Sequence, residues 1–136
     1  MHILIVDDNQ DLANAACKLL SIYGDHTGEV ALSAASALSL AAERQYGAIM
    51  IEFRLPYPEI GLNLAKKLRE QGYGGLIIGL VTMPHTFTVE KMTEMGFNAC
   101  LQKPLLKSHM SVLDIAPDTT CFEGNSLVYE KDRRRF

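Results

Sequence analysis

Residues 3–9 read ILIVDDN, four consecutive aliphatic residues followed by two aspartates and an asparagine. A short aliphatic run that ends at polar residues is typical of a strand buried on both faces of a parallel sheet. Apolar residues then recur at helical spacing from Leu12 to Tyr23, and Gly24 follows, a residue type that often ends a helix. The start of the chain therefore predicts a strand at residues 2–6 followed by a helix.

The same alternation of strand and helix repeats along the rest of the chain. Further strands are predicted at residues 27–31, 48–53, 76–81 and 99–102. Strands that alternate with helices at this interval predict parallel pairing with helices on both faces, because each crossover must be right-handed. The expected fold class is α/β, a flavodoxin-like doubly wound sheet of five parallel strands in the order 2-1-3-4-5.

Glycines and prolines mark the expected ends of the later helices. Pro56, Pro58 and Gly61 predict a loop before the third helix, which should end at Gly72. The last helix is predicted to be short, from about Leu105 to Asp114, and Pro117 lies beyond it. We expect residues 1–116 to form one domain and residues 117–136 to form a C-terminal tail that is flexible or docks on it.

Composition restricts the classes of function. The chain has 136 residues, of which 48% are hydrophobic and 21% charged, enough apolar material for one buried core. The net charge of -3 argues against nucleic-acid binding by this domain, because phosphate contacts need clustered Lys and Arg. Three scattered cysteines without metal-ligand spacing fit a reducing cytoplasm, and we expect neither a leader nor membrane association.

Polar residues stand at or just after the ends of four predicted strands. They are Asp7, Asp8, Glu52, Thr82 and Lys103. In open parallel sheets the functional crevice lies beyond the carboxyl ends of the strands. The sequence therefore predicts that these side chains converge on one edge of the sheet.

Four motifs at these strand ends carry a family resemblance: ILIVDDN, IMIEFRLP, GLVTMP and GFNACLQKP. As a set, and in their spacing, they resemble the receiver domain of two-component response regulators over about residues 2–113. The resemblance implies that Asp7 and Asp8 hold a Mg²⁺ ion together with Glu52, and that Asp8 is a direct ligand. It also implies that Thr82 contacts a phosphoryl group, that Lys103 pairs with it, and that the peptide before Pro104 is cis.

Two positions depart from the family pattern. Glu52 stands where the family has the phosphorylated aspartate, and the added carbon-carbon bond moves the carboxylate by about 1.5 Å. A misplacement of about 1 Å can cost on the order of 10²-fold in rate where catalysis depends on positioning. Cys100 stands at the switch position, where the family has an aromatic ring that rotates inward.

The three carboxylates also need a counter-charge. Lys103 supplies one positive charge, and either a bound divalent cation or protonation of one carboxyl would compensate for the rest. Glu52 is long enough to reach Lys103 directly and to imitate the phosphorylated state with a single charge. A domain held in one state would follow.

The expected function is therefore a signalling module, not an enzyme, that acts through protein contacts without obligatory phosphorylation. Its partner would be a sensor kinase or a downstream signalling protein, or a second copy of the chain that binds through the face of helix 4, strand 5 and helix 5. One alternative is a phosphorylatable response regulator with Glu52 as acceptor. Another is a flavodoxin-like enzyme or nucleotide binder, although the sequence has no phosphate loop or cofactor fingerprint.

Overall fold

The structure is a computed structural model that describes residues 1–81 and 88–122 and the backbone of residues 129–130. Its strands are β1 (His2–Val6), β2 (Thr27–Ala31), β3 (Ala48–Glu52), β4 (Leu76–Val81), β5 (Ala99–Gln102), β6 (Cys121–Phe122) and β7 (Tyr129–Glu130). Its helices are α1 (Gln10–Tyr23), α2 (Ala34–Glu43), α3 (Pro58–Glu70), α4 (Val89–Glu94) and the 3₁₀ helix η1 (Lys107–Asp114).

The described strands form one sheet in the order β2-β1-β3-β4-β5-β6-β7. All neighbours from β2 to β5 pair in parallel, which confirms the predicted order 2-1-3-4-5. The sheet then continues past β5, because β6 pairs with β5 in parallel and β7 pairs with β6 in antiparallel fashion. Each added strand has two residues, too few to produce a periodic signal in the sequence.

Helices cover both faces of the sheet. One core joins buried residues of α2, α3 and α4 to one face, and the other joins buried residues of α1 and η1 to the opposite face. Every residue of β3 and β4 is buried, which explains why these segments read as continuous apolar runs instead of alternating patterns. The predicted doubly wound architecture is confirmed.

The third helix begins earlier than the sequence predicted. Pro56, Pro58 and Gly61 indicated a loop, whereas α3 begins at Pro58 and contains Gly61 as a buried residue. Proline suits the first turn of a helix, because its fixed φ is helical and the missing N–H has no intrahelical acceptor there. The last helix is short and ends at Asp114 as predicted, but it begins at Lys107 and is a 3₁₀ helix.

Within the described ranges, no helix has the length and apolar character that crossing a membrane would require.

Candidate functional site

Three of the predicted residues lie where β1, β3 and β5 end. Glu52 is the last residue of β3, and Asp7 and Lys103 directly follow β1 and β5. The backbone N–H of Asp7 donates to the carbonyl of Ala31 at 3.0 Å, and that of Lys103 donates to Val81 at 2.7 Å. The sheet therefore extends one residue past both strands and fixes the backbone that carries these side chains.

A cleft of about 270 Å³ opens at this edge of the sheet, and it is lined by Asp7, Asp8, Asn9, Leu12, Glu52 and Arg54. Asp7 and Glu52 are buried, with 5% and 3% of their surfaces exposed. Asp8 is exposed at the mouth. The structure thus brings the three predicted carboxylates to one cleft, as the strand-end pattern indicated.

Glu52 forms an ion pair with Lys103. The Lys103 ammonium donates to Glu52 Oε1 at 2.5 Å, and the backbone N–H of Arg54 donates to Glu52 Oε2 at 3.2 Å. The Glu52 side chain is 4% exposed and that of Lys103 is 24% exposed, so water reaches the pair mainly from the lysine side. Both oxygens of the carboxylate at the acceptor position are therefore already bound.

The surroundings of Asp7 disfavour the charged form of its carboxyl group. Burial raises the pKa of Asp7 above its ordinary value, and the charge of Glu52 raises it further. The N–H of Asn9, which donates to Asp7 Oδ1 at 2.9 Å, and the ammonium of Lys103 both oppose that rise in pKa. Burial prevails because a carboxylate withdrawn from water loses more solvation than one hydrogen bond returns.

Asn9, rather than either aspartate, caps the first helix. Its side chain accepts a hydrogen bond from the backbone N–H of Leu12 at 3.0 Å. The cap satisfies one free N–H at the start of α1. In the described part of the chain Asp8 makes no side-chain hydrogen bond, so its carboxylate remains exposed to the cleft.

The donor chemistry suits Mg²⁺, which prefers oxygen ligands. However, the described residues contain no group of three His, Cys, Asp or Glu side chains that could hold a metal ion. Glu52 is turned toward Lys103 and uses both carboxylate oxygens in other bonds. The arrangement does not assemble the expected ligand set of Asp7, Asp8 and Glu52, and a Mg²⁺ site there stays a prediction.

The remaining predicted positions have different outcomes. Thr82 lies outside the described residues. Cys100 lies on β5, 2% exposed in a core, and does not line the cleft. The peptide bond between Lys103 and Pro104 is cis, as predicted.

Arg54 is a cleft residue that the sequence interpretation missed. Its exposed side chain lines the cleft opened by Asp7, Asp8 and Glu52, and its backbone N–H binds Glu52. The available signal was its position two residues after Glu52, in the turn that leaves β3. A basic residue there offsets part of the negative charge of the cleft.

Comparison with known proteins gives matches in sequence and in structure. The sequence profile of a family described as the response regulator receiver domain matches residues 3–113. The chain is 32% identical over 117 residues to the sensor protein EvgS of Escherichia coli K12. The alignment covers 83% of this chain but 10% of EvgS, so the chain spans about a tenth of that relative's length.

Solved structures share the fold. The receiver domain of a Francisella response regulator superimposes with a TM-score of 0.71 and 23% identity, covering 83% of this chain and 96% of that one. A CheY-like receiver domain from Methylobacillus flagellatus also gives a TM-score of 0.71, with 25% identity over 82% of this chain and 98% of that one. The fold similarity thus extends across nearly the whole of each compared domain.

Proposed function

Because this chain belongs to the response regulator receiver domain family, we propose that it is a signalling module held in one state without phosphorylation. Receiver domains are signalling modules that interact with sensor kinases and downstream effectors. The observation that carries the proposal is the ion pair between Lys103 and Glu52 at 2.5 Å. In this proposal the Glu52 carboxylate, paired with Lys103, stands in for the phosphoryl charge that the family resemblance implies.

The ion pair supports a locked state for an electrostatic reason. A lysine beside a buried carboxylate is held by a charge-assisted hydrogen bond, the strong class of hydrogen bond in proteins. In this chain the negative partner of Lys103 is Glu52 itself. The lysine needs no added phosphoryl group to be drawn toward β3, and it therefore stays in one position.

The same contacts oppose phosphotransfer to Glu52. To attack a phosphodonor, the carboxylate would have to use an oxygen that already accepts a hydrogen bond from Lys103 or from the N–H of Arg54, and such a bond lowers the nucleophilicity of the oxygen. It would also have to act from a position about 1.5 Å beyond that of an aspartate. The hydrogen bonds and the displacement both affect the reacting oxygen, the atom whose position influences the rate of phosphotransfer most.

Receiver domains typically bind Mg²⁺ at the phosphorylation site. When bound, the ion would supply positive charge that neutralises the carboxylates of the cleft. We propose that Asp7 and Asp8 would hold it, since Glu52 is engaged by Lys103. The ion is then not required for the state that the ion pair maintains.

The wider assignment is also a proposal. We place the receiver unit at residues 1–116, followed by a segment that docks on it. The protein would work in the cytoplasm, which its three scattered cysteines without metal-ligand spacing support, with a sensor kinase or a downstream signalling protein as partner. It would bind no nucleic acid, carry no enzymatic activity, and use the face of α4, β5 and η1 for partners or for a homodimer.

Incubation with acetyl phosphate and Mg²⁺, followed by intact mass measurement, tests the proposal. The unmodified chain should keep its mass, and Glu52→Asp should gain one phosphoryl group, at least slowly, because only the acceptor position is corrected. Glu59→Asp is the matched control, since Glu59 is exposed on α3 outside the cleft. Stoichiometric labelling of the unmodified chain at Glu52 would instead support the phosphorylatable response regulator.

A further inference from the structure

The edge of β5 is covered by the chain's own later residues. An edge strand presents unpaired backbone N–H and C=O groups, onto which another extended segment can pair. Here β6 pairs in parallel with β5, with Cα partners Ala99 and Cys121, and Cys100 and Phe122. Residues 117–122, which we name the strap, therefore occupy the place that an added strand would take.

The strap lies between β5 and β7, which pairs with its outer side, and one buried side chain, that of Asn98, binds it from the β5 side. Both hydrogens of the Asn98 carboxamide are used on it, donating to the carbonyls of Pro117 at 2.8 Å and Thr119 at 2.9 Å. The backbone N–H of Cys121 donates to the carbonyl of Asn98 at 2.7 Å. Asn98 is 4% exposed, so little water competes for these three bonds.

Asn98, the anchor of the strap, is itself held in place by groups outside the strap. Asn98 Oδ1 accepts hydrogen bonds from the backbone N–H of Ile77 and from the guanidinium of Arg69, each at 2.8 Å. Arg69 also donates to the carbonyls of Gly96, Tyr73 and Gly75. Because Asn98 is fixed without the strap, release of the strap would leave a prepared pair of amide hydrogens.

Two buried side chains of the strap have opposite effects on its stability: Phe122 stabilises it and Thr120 destabilises it. Phe122 is 1% exposed and packs in the same core as Cys100, beside which it is paired. Thr120 is also buried, at 6% exposed, yet its hydroxyl has no hydrogen-bond partner among the described residues. A buried hydroxyl without a partner destabilises the arrangement that buries it. Thr120 therefore weakens the strap without affecting the anchor.

We propose that the strap is a displaceable self-bound strand that closes the β5 edge against protein partners. The competing occupant is an extended segment of a partner protein that pairs in parallel with β5 and inserts a large apolar side chain where Phe122 lies. Ala99 and Cys100 of β5 pair with the strap, and the Asn98 carboxamide donates to it, so an incoming extended segment can make the same backbone and carboxamide contacts. The proposal depends on the proposed function only in requiring a protein partner.

Amide hydrogen exchange on the full chain tests whether the strap opens by itself. Phe122→Ala should speed exchange in residues 119–122 and in β5 by about tenfold or more and leave β1 and β3 unchanged, because local opening exposes only the released segment. The matched control is Ile49→Ala, a buried residue of β3 in the same core and two strands away from β5. It should speed exchange throughout the sheet. Equal acceleration of β1 and β3 by Phe122→Ala, or failure of that variant to fold, would make the strap part of the cooperative core and overturn the proposal.

Thr120→Val gives a second test in the opposite direction. The change keeps the shape of the side chain and removes the unpartnered hydroxyl, so exchange in residues 119–122 should slow while β1 and β3 stay unchanged. No change in exchange within the strap would overturn the proposal.

Binding of an added strand is measured with a synthetic peptide of residues 115–124, IAPDTTCFEG. By fluorescence anisotropy it should bind the Phe122→Ala chain about tenfold or more tightly than the unmodified chain, since the variant exposes the edge. A peptide carrying Phe122→Ala should not bind. Equal binding to both chains would refute displacement, and because the assay contains no phosphodonor, its failure leaves the phosphorylation proposal intact.

Discussion

Replacing Lys103 with methionine isolates the ion pair that the proposed function depends on. Methionine keeps much of the length of the side chain and removes its charge, which leaves the Glu52 carboxylate buried without its cation. At 2.5 Å and an effective dielectric constant of about 20, the gross attraction is about 7 kcal/mol. Desolvation of both groups offsets part of that attraction, and breaking a buried pair typically costs about 3–5 kcal/mol. Because Lys103 is 24% exposed, we expect Lys103→Met to lower the free energy of unfolding by about 2–4 kcal/mol.

Urea denaturation of four chains measures this loss: the unmodified chain, Lys103→Met, Glu52→Gln and the double variant. Glu52→Gln should cost less than Lys103→Met, because the released lysine can turn toward water. The double variant should recover about 2 kcal/mol relative to the sum of the two single losses. Lys91→Met is the matched control, since Lys91 is exposed and lies 3.8 Å from Glu94. Its change should stay within about 0.5 kcal/mol.

Two outcomes would contradict this expectation: a Lys103→Met chain as stable as the control variant, or single losses that add without recovery in the double variant. Either result would mean that the pair makes no net contribution to the folded state. The locked state would then lose its physical basis. A fall in Tm of about 5 °C or more for Lys103→Met would agree with the expected loss, given a few degrees per kcal/mol for a domain of this size.

Three further measurements test other parts of the structure. Burial raises the pKa of Asp7 above 3.8, so its charged form costs stability above the raised pKa. Asp7→Asn should therefore raise Tm at pH 7, by an amount that vanishes below about pH 3.8, and no gain at pH 7 would contradict this reading. In calorimetry, Mg²⁺ at 10 mM should stabilise the unmodified chain by less than about 0.5 kcal/mol and the Lys103→Met chain by about 1 kcal/mol or more. The difference is expected because the variant frees Glu52 to bind the ion. Equal stabilisation of the two chains would contradict this expectation. A Cβ at Gly28 would lie 2.5 Å from Cys17 Sγ, so Gly28→Ala should cost about 1–3 kcal/mol in urea unfolding, and Cys17→Ala should restore part of it.

Much of the fold could be predicted from short segments of sequence. The five parallel strands appeared as aliphatic runs bounded by polar residues or glycine, and four of them have the bounds that the sequence predicted. Strands buried on both faces must be apolar at nearly every position, so their pattern is visible without knowledge of their neighbours. The cleft could be predicted as well, since parallel strands place their carboxyl ends at the same edge.

A local sequence pattern does not predict the structure where the same residues are compatible with two conformations. Pro58 is compatible with a loop or with the first turn of a helix, and the packing of Leu62, Leu64 and Leu68 against the sheet decides for the helix. The sequence could likewise state that Glu52 is long enough to reach Lys103, but not that it does so. That choice depends on where the folded sheet places the ends of β3 and β5, which lets Lys103 Nζ lie 2.5 Å from Glu52 Oε1.

Hydrophobic periodicity and right-handed crossovers act through local chain geometry, so the α/β class and the edge where the charged side chains meet could be inferred from sequence patterns. The strand order followed from the flavodoxin-like class that those patterns indicated. The contacts of Lys103 with Glu52, of Asn98 with residues 117 and 119, and of Phe122 with Cys100 became visible in the folded chain alone. Each of these contacts joins residues about 20 or more positions apart. Their partners are selected by packing and by the need of buried polar groups for hydrogen bonds, neither of which leaves a periodic mark in the sequence.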